Sequence, residues 1–350
     1  MRSLERVRAL VAGQPVDHLP VQPVIMMFAA RHFGIPFIEY TKDGRKMAAA
    51  QSKLVHDFGI DCLLTCSDPA REVIDIAGDG SVNWYDDQGP AICEERAALT
   101  DKARLSTFRI PDPFGGGRMH DRIKGIEVMH KEFGGEVSIV GWVEGPLALG
   151  QELRGLSRCM IDFIDDPVFI KDLLDFTAEV AVVYAEAQIQ AGADTVGMSD
   201  AAASMMGPKY YEEFLFPRQF RVVESIRQAH PDVIVRLHMC GNTDALMPQM
   251  KKLPVQIFEI DSPTNLPAAR AVLGPDRVIL GNVSTITDMH EGNPTQVYEA
   301  ARRCHQTCGK FHIVGTGCEV PPTTPDENLR ALVRYSCEHK PGEFEVATAA

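Results

Sequence analysis

The chain has 350 residues, of which 45% are hydrophobic and 24% charged, and this composition excludes an intrinsically disordered or collagen-like protein. Its formal net charge of −13, without any run of Lys or Arg, argues against a nucleic-acid partner, because binding phosphates requires a basic surface. No uninterrupted apolar stretch follows the charged N-terminus, so the sequence predicts no secretion signal and no membrane span, and favours a cytoplasmic protein.

Short apolar or β-branched runs alternate along the chain with stretches of helical spacing. We predict strands at residues 19–27, 61–66, 137–143, 194–199, 233–239, 255–261, 278–283 and 311–317. We predict helices at residues 46–58, 167–191, 209–229, 295–307 and 326–337. This alternation indicates right-handed crossovers and a parallel sheet, and eight repeats is the number that closes into a TIM barrel.

The predicted fold class is therefore α/β, with a single (β/α)8 barrel domain over residues 1–350, since no Pro, Ser or Gly-rich linker divides the chain. An open doubly wound sheet is the alternative, but no predicted strand is followed by a G-x-G-x-x-G turn. The segment 82–95 has Asp87-Gln88-Gly89 at its middle, and we predict that it is an inserted β-hairpin.

Barrel enzymes place their chemistry at the carboxyl ends of their strands. The polar side chains expected at these ends are Asp68, Glu144, Asp200, Asn242, Glu259, Asp261 and Asn282. We expect Glu144 and Asp200 to orient substrate or to complete a metal site, although each could instead bond loop backbone. We also expect Asn242 and Asn282 to contact substrate. Met27 lies near the end of the first strand, and at this position it could either line an apolar pocket or fill the core.

One strand end carries His238-x-Cys240, and alternate residues of an extended segment point the same way and can bind one ion together. Such a pair alone is more often packing than ligation. Cys318 lies at another strand end and supplies a third donor. Two thiolates and an imidazole leave one position open, which is typical of a catalytic zinc, and soft ligands favour zinc over magnesium or calcium.

The remaining cysteines give weaker signals. Nine cysteines in a chain without an export signal argue against a disulfide framework. Cys304, His305 and Cys308 fall within one predicted helix, where packing is the better interpretation. Cys62 and Cys66 share one face of a predicted strand, and we expect them in the barrel interior.

Three ordered motifs carry a resemblance to a known family: residues 238–243 (HMCGNT), 281–284 (GNVS) and 317–328 (GCEVPPTTPDEN). Together they resemble the uroporphyrinogen decarboxylase superfamily, and within it the cobamide-dependent zinc methyltransferases. The resemblance runs over nearly the whole chain. It implies Zn²⁺ at His238, Cys240 and Cys318, and methyl transfer between a corrinoid and a thiol or methylated substrate. Because the chain has no D-x-H-x-x-G cobamide motif, it also implies a separate corrinoid carrier protein.

Two other functions are compatible with the sequence. The decarboxylases of the superfamily hold their substrate with arginines near the first strand, a region that is mostly apolar here, with Arg31 out of register. Asp68 resembles their catalytic aspartate and is the one feature that favours decarboxylation. The second alternative is a non-catalytic zinc-storing or redox-responsive protein, for which Cys304 and Cys308 would be the surplus thiols.

Overall fold

The computed structural model describes residues 1–344, which form an α/β fold around a parallel sheet. The strands are β1 Cys62–Leu64, β2 Val82–Asn83, β3 Ala91–Ile92, β4 Ser138–Glu144, β5 Thr195–Ser199, β6 Ile234–Met239, β7 Ile257–Ile260, β8 Val278–Gly281 and β9 His312–Ile313. Seven of them form one sheet in the order β1-β4-β5-β6-β7-β8-β9, and every neighbouring pair is parallel. The predicted α/β class and the later seven strands are thus confirmed, with ends that shift by a few residues.

Helices connect these strands, as a parallel sheet requires. They are α1 Ser3–Val11, α2 Met27–Phe33, α3 Phe37–Lys42, α4 Gly44–Phe58, α5 Ala70–Ala77, α6 Arg118–Phe133, α7 Pro146–Arg154, α8 Leu156–Asp165, α9 Pro167–Gln190, α10 Pro208–Tyr210, α11 Phe216–Ala229, α12 Met247–Met250, α13 Leu266–Leu273, α14 Pro294–Cys308 and α15 Asp326–Glu338. A proline in the first turn begins several of them, where its missing N–H costs no hydrogen bond. Asn293 caps α14 through a reciprocal bond with Gln296.

The predicted first strand at residues 19–27 is wrong as a regular strand. Val21 and Val24 form only isolated parallel bridges, to Val314 and Glu319, and Met27 already begins α2. The physical reason is in the sequence, because Pro20 and Pro23 lack the N–H groups that a continuous ladder needs. On the other side of this segment the Asp61 N–H donates to the Val21 carbonyl at 2.8 Å.

The segment predicted as a hairpin contains a two-stranded antiparallel ladder, in which β2 pairs with β3. Val82 lies opposite Ile92, and Asn83 lies opposite Ala91. Its role as an insertion that decorates a barrel rim stays a prediction.

The sheet is buried on both faces, since every residue of β4, β5, β6, β7 and β8 is buried. This is the expected environment of a parallel sheet covered by helices. Parallel register places Ser199, His238 and Glu259 side by side on three neighbouring strands. Among residues 1–344, no helix combines the length and the apolar character needed to cross a bilayer.

Candidate metal centre

Three side chains that are distant along the chain meet at the carboxyl ends of the strands. His238 lies near the end of β6, Cys240 follows that strand directly, and Cys318 follows β9. His238 Nε2 lies 3.2 Å from Cys240 Sγ and 3.8 Å from Cys318 Sγ, and the two sulfur atoms are 3.7 Å apart. Among all the His, Cys, Asp and Glu side chains within residues 1–344, only His238, Cys240 and Cys318 form a group of three whose donor atoms are close enough to bind one ion.

These separations fit a tetrahedral zinc. Zn–S bonds of about 2.3 Å and Zn–N bonds of about 2.0 Å at tetrahedral angles place two sulfurs about 3.8 Å apart and sulfur about 3.5 Å from nitrogen. A disulfide requires an S–S distance of about 2.05 Å, so the 3.7 Å separation is that of two free thiols. The donor set therefore fits zinc in both chemistry and spacing.

Two glycines let the ligand loops approach each other. Gly241 follows Cys240 with φ +83°, in the left-handed region, and its N–H donates to Asp261 Oδ2 at 2.6 Å. Gly317 precedes Cys318, and a Cβ there would lie 2.4 Å from the Ser262 amide nitrogen. The loop that carries Cys318 can therefore pass beside Asp261 only if residue 317 has no side chain.

A buried carboxylate lies behind the imidazole. Glu259 on β7 places Oε1 3.4 Å from His238 Nδ1 and Oε2 3.3 Å from Arg236 Nε. All three side chains are buried, and both carboxylate oxygens lack a hydrogen bond with good geometry. The carboxylate thus faces Nδ1, the ring nitrogen away from the two sulfurs, which is where the partner of a metal-binding histidine lies.

Contacts within the cluster shift the pKa values of its three members. A hydrogen bond from the Cys240 thiol, together with His238, lowers the pKa of Cys318 to about 4, while the same contact raises the pKa of Cys240. Burial alone would lower the pKa of His238, but Glu259 and the Cys318 thiolate outweigh it and raise that pKa to about 9. Without a metal, Cys318 is therefore the thiolate of the cluster, and a metal ion that bound all three groups would displace the protons of His238 and Cys240.

The cluster opens into a cavity of about 330 Å³ that is lined mainly by apolar atoms. His238, Cys240 and Cys318 line it, and so does Met27, whose N–H donates to Glu319 Oε1 at 2.7 Å. The pocket expected of Met27 is therefore present, and it adjoins the three candidate ligands.

Two of the expected carboxylates lie in this cavity, and both are paired with arginines. Asp68 Oδ2 accepts hydrogen bonds from Arg118 Nη2 at 2.7 Å and from the Ser67 hydroxyl at 2.6 Å. Glu144 Oε1 lies 3.1 Å from Arg71 Nη2. Burial raises the pKa of Glu144 to about 8 despite this arginine.

The other expected polar residues lie outside the cavity lining. Asp200 is buried and accepts bonds from the Ala148 N–H and from Gln219 Nε2, both at 2.7 Å. Asn282 donates to the carbonyls of Asp261 and Thr264. Asn242 is exposed and accepts from the Asp244 N–H in a local turn. Asp200 and Asn282 thus form hydrogen bonds with the protein itself, which is the alternative to contacting substrate or a metal ion.

The sequence patterns gave no functional role to two of the lining residues, Trp142 and Glu152. Glu319, which belongs to the motif 317–328, also lines the cavity. Glu152 lies within α7 and belongs to no motif, so only the packing of the helix reveals it.

The second cysteine cluster does not form a metal site within residues 1–344. Cys304 and Cys308 are buried on α14, and burial raises their pKa values to about 11 and about 12. His305 Nδ1 contacts the Tyr335 hydroxyl at 3.0 Å. These features agree with the packing interpretation. Cys62 and Cys66 are buried as expected, and Cys66 reaches the cavity.

Comparison with known proteins places this geometry in a family. Residues 2–339 match the model described as uroporphyrinogen decarboxylase (URO-D). The chain belongs to the uroporphyrinogen decarboxylase family. Since that match spans nearly the whole chain, the resemblance noted from the motifs is confirmed.

Within this family the chain is similar to both methyltransferases and decarboxylases. It is 25% identical to a methylcobamide:CoM methyltransferase, MtbA, of Methanosarcina acetivorans, over 96% of this chain and 98% of that protein. It is 27% identical to a methylated-thiol–coenzyme M methyltransferase of Methanosarcina mazei, over 97% and 90%. A uroporphyrinogen decarboxylase of Trichlorobacter lovleyi is 24% identical over 94% and 96%. A solved methyltransferase from Methanosarcina mazei shares the fold, with a TM-score of 0.87, 22% identity and coverage of 97% and 99%.

Proposed function

We propose that this protein is a zinc-dependent methyltransferase that moves a methyl group between a corrinoid carrier protein and a thiol or methylated substrate. The observation that carries the proposal is the cluster of His238, Cys240 and Cys318, whose donor atoms lie 3.2 to 3.8 Å from one another. Similarity along the full chain to methylcobamide:CoM and methylated-thiol methyltransferases supports the same class of reaction.

His238, Cys240 and Cys318 would hold the zinc and leave a fourth position for substrate. Zinc bound there supplies a Lewis acid that lowers the pKa of a substrate thiol, so that its sulfur is nucleophilic at neutral pH. Glu259 holds the His238 ring in orientation from behind. Met27 contributes to the apolar wall that keeps water from the reacting groups.

The carboxylates have different roles in this proposal. Asp68 and Glu144 line the cavity and contact substrate, each held in place by an arginine. Asp200 is a positioning residue, because its two oxygens join the first turn of α7 to Gln219 on α11. It thereby fixes the helix that follows Glu144.

The cavity disfavours decarboxylation of a porphyrinogen as the alternative. Asp68 lies in the cavity, which favours that reaction, but no Lys or Arg is among the lining residues that the structure describes. Arg31 instead bonds Asp326 at 2.8 Å in an exposed pair. Because a substrate with many carboxylates needs basic partners, a thiol or methylated substrate fits this cavity better.

The site belongs, in this proposal, to a single domain with a closed barrel. The segment 19–25 is hydrogen-bonded on both sides. The Asp61 N–H, next to β1, donates to the Val21 carbonyl, and the Val314 N–H, next to β9, donates to the Pro20 carbonyl, both at 2.8 Å. These contacts on both edges of the sheet support an irregular eighth strand between β1 and β9. Cys318 would then be fixed relative to His238 from both sides.

The proposal is tested by zinc content together with methylcobalamin turnover. Purified protein should contain about one zinc per chain and should demethylate methylcobalamin in the presence of a thiol, as followed by absorbance. Cys240→Ser and Cys318→Ser should each lose zinc and activity. Cys337→Ser is the matched control, because Cys337 is exposed and outside the cluster, and it should retain both. Turnover that survives the loss of zinc would refute the proposal.

A further inference from the structure

The charged side chains that line the cavity are all acidic except for the histidine of the metal cluster. Asp68, Glu144, Glu152 and Glu319 line it, and no Lys or Arg does so among the residues that the structure describes. Three of these carboxyl groups lie on one side of the cavity, after β1, at the end of the neighbouring strand β4, and on α7, the helix that follows β4. A ligand in this cavity therefore meets several carboxyl groups along one wall, and no basic side chain among the lining residues that the structure describes.

The nearest guanidinium groups do not reverse this charge. Arg71 is fully buried and pairs with Glu144 at 3.1 Å, and it is absent from the lining. Arg118 pairs with Asp68 at 2.7 Å and is likewise absent from the lining. Both cations lie behind the carboxylates that face the cavity, and an anionic ligand would have to displace those carboxylates to reach them.

Two carboxylates retain free capacity for a ligand. Glu144 is only 7% exposed, and Oε2 has no hydrogen-bond partner within residues 1–344, while Oε1 contacts Arg71. Glu152 has no hydrogen bond or ion pair to any part of the chain that the structure describes, although it lines the cavity. Two acidic side chains therefore present unpaired oxygen atoms to the same enclosed space.

Burial has a cost for these unpaired groups that a cation would relieve. It raises the pKa of Glu152 to about 7, with Glu94 adding to the rise, and that of Glu144 to about 8. An ammonium group beside them would favour their charged forms. Phe37 and Trp142 also line the cavity and add apolar surface for the carbon chain of a ligand.

Building on the proposed function, we propose that the thiol or methyl thioether taken by this cavity carries a positively charged ammonium group at its far end, and that Glu152 recognises this group. The sulfur end belongs at His238, Cys240 and Cys318, and the cationic end at the carboxylate wall. A sulfonate or carboxylate at the far end is rejected, because desolvating it beside unpaired carboxylates is unfavourable.

A series of three methyl thioethers that differ in one group tests this directly. The probes are 2-(methylthio)ethylamine, 2-(methylthio)ethanol and 2-(methylthio)ethanesulfonate, and their binding to the purified protein is measured by calorimetry. At about pH 8.5 the amine is still protonated and Glu152 is ionised. The ammonium compound should bind about tenfold or more tighter than the sulfonate, with the alcohol between them.

Two variants separate recognition by charge from a structural effect. Glu152→Gln keeps the shape of the side chain, and it should weaken binding of the ammonium compound about tenfold while leaving the alcohol unchanged. Glu179→Gln is the control, because Glu179 is exposed on α9 and outside the cavity, and it should change neither. Equal losses for both compounds in Glu152→Gln would overturn the assignment of Glu152.

Failure of this inference is distinguishable from failure of the proposed function. Tighter binding of the sulfonate, or no measurable binding of the ammonium compound, overturns the inference, whereas the zinc and methylcobalamin assays are unaffected by either result. If those assays fail but the ammonium preference is measured, the charge selectivity stands and the methyl-transfer proposal falls.

Discussion

The sulfur atoms of Cys240 and Cys318 lie 3.7 Å apart although the two residues are separated by 78 positions in the chain. Parallel strands bring their carboxyl ends to one edge, and the loops after β6 and β9 then place both thiols beside His238. Two sulfurs at this separation match two ligands of one tetrahedral ion.

Replacing Glu259 by Gln should weaken zinc binding. The carboxylate lies 3.4 Å from His238 Nδ1, and loss of such a partner typically reduces metal affinity about 10- to 100-fold. Competition with a zinc-binding dye measures the affinity, and circular dichroism verifies that the variant is folded, since Arg236 also loses a partner. Unchanged affinity in a folded variant would mean that Glu259 does not act through His238.

Replacing Gly317 by Ala should displace the loop that carries Cys318. The new Cβ would lie 2.4 Å from the Ser262 amide nitrogen and 2.8 Å from Asp261 Oδ1, which is closer than atoms can pack. We expect a loss of about 1–3 kcal/mol in the free energy of unfolding, together with reduced zinc content. Gly207→Ala is the matched control, because a Cβ at that position meets nothing within 4 Å. Identical unfolding curves and zinc contents for the two variants would contradict the account.

Glu144 should make the protein less stable as the pH rises. Burial raises its pKa from 4.5 to about 8 although Arg71 opposes the shift, with Glu72, Glu152 and Asp68 adding to the rise. Between these two pH values the unfolded chain releases this proton while the folded protein keeps it, so rising pH favours unfolding. The slope from this group is at most about 1.4 kcal/mol per pH unit.

The measurement compares urea unfolding of the wild type and Glu144→Gln across that pH range. As the pH rises from about 5 to about 8, the free energy of unfolding of the wild type should decrease relative to that of the variant. At pH values below the ordinary glutamate pKa this difference should change little. Since both proteins share every other titrating group, the difference isolates Glu144. A difference that does not change with pH would contradict the raised pKa.

Residue patterns alone grouped the three candidate ligands and predicted most of the sheet. His238 and Cys240 alternate on a strand, and Cys318 ends another, so the strand-end rule was enough to group them. The first strand was predicted wrongly because its apolar residues match the pattern of a strand, whereas Pro20 and Pro23 lack the N–H groups that a continuous ladder of backbone hydrogen bonds needs.

Other parts of the site depend on packing that periodicity cannot report. For Asp200 the sequence left two roles open, orienting substrate or a metal and bonding loop backbone. Its carboxylate accepts bonds from the Ala148 N–H and from Gln219 Nε2, contacts that depend on where α7 and α11 lie. Glu152 has no sequence signal, because a glutamate within a helix is normally solvated. Its place in the cavity follows from the way α7 packs over the strand ends.

The most direct test of the central claim is zinc K-edge X-ray absorption of the purified protein, which reports the atoms bound to the ion. The account predicts about one zinc per chain, with two sulfur neighbours at about 2.3 Å and one imidazole nitrogen at about 2.0 Å. One sulfur neighbour should disappear in Cys318→Ser. A spectrum with no sulfur neighbours, or a protein that binds no zinc, would contradict the account.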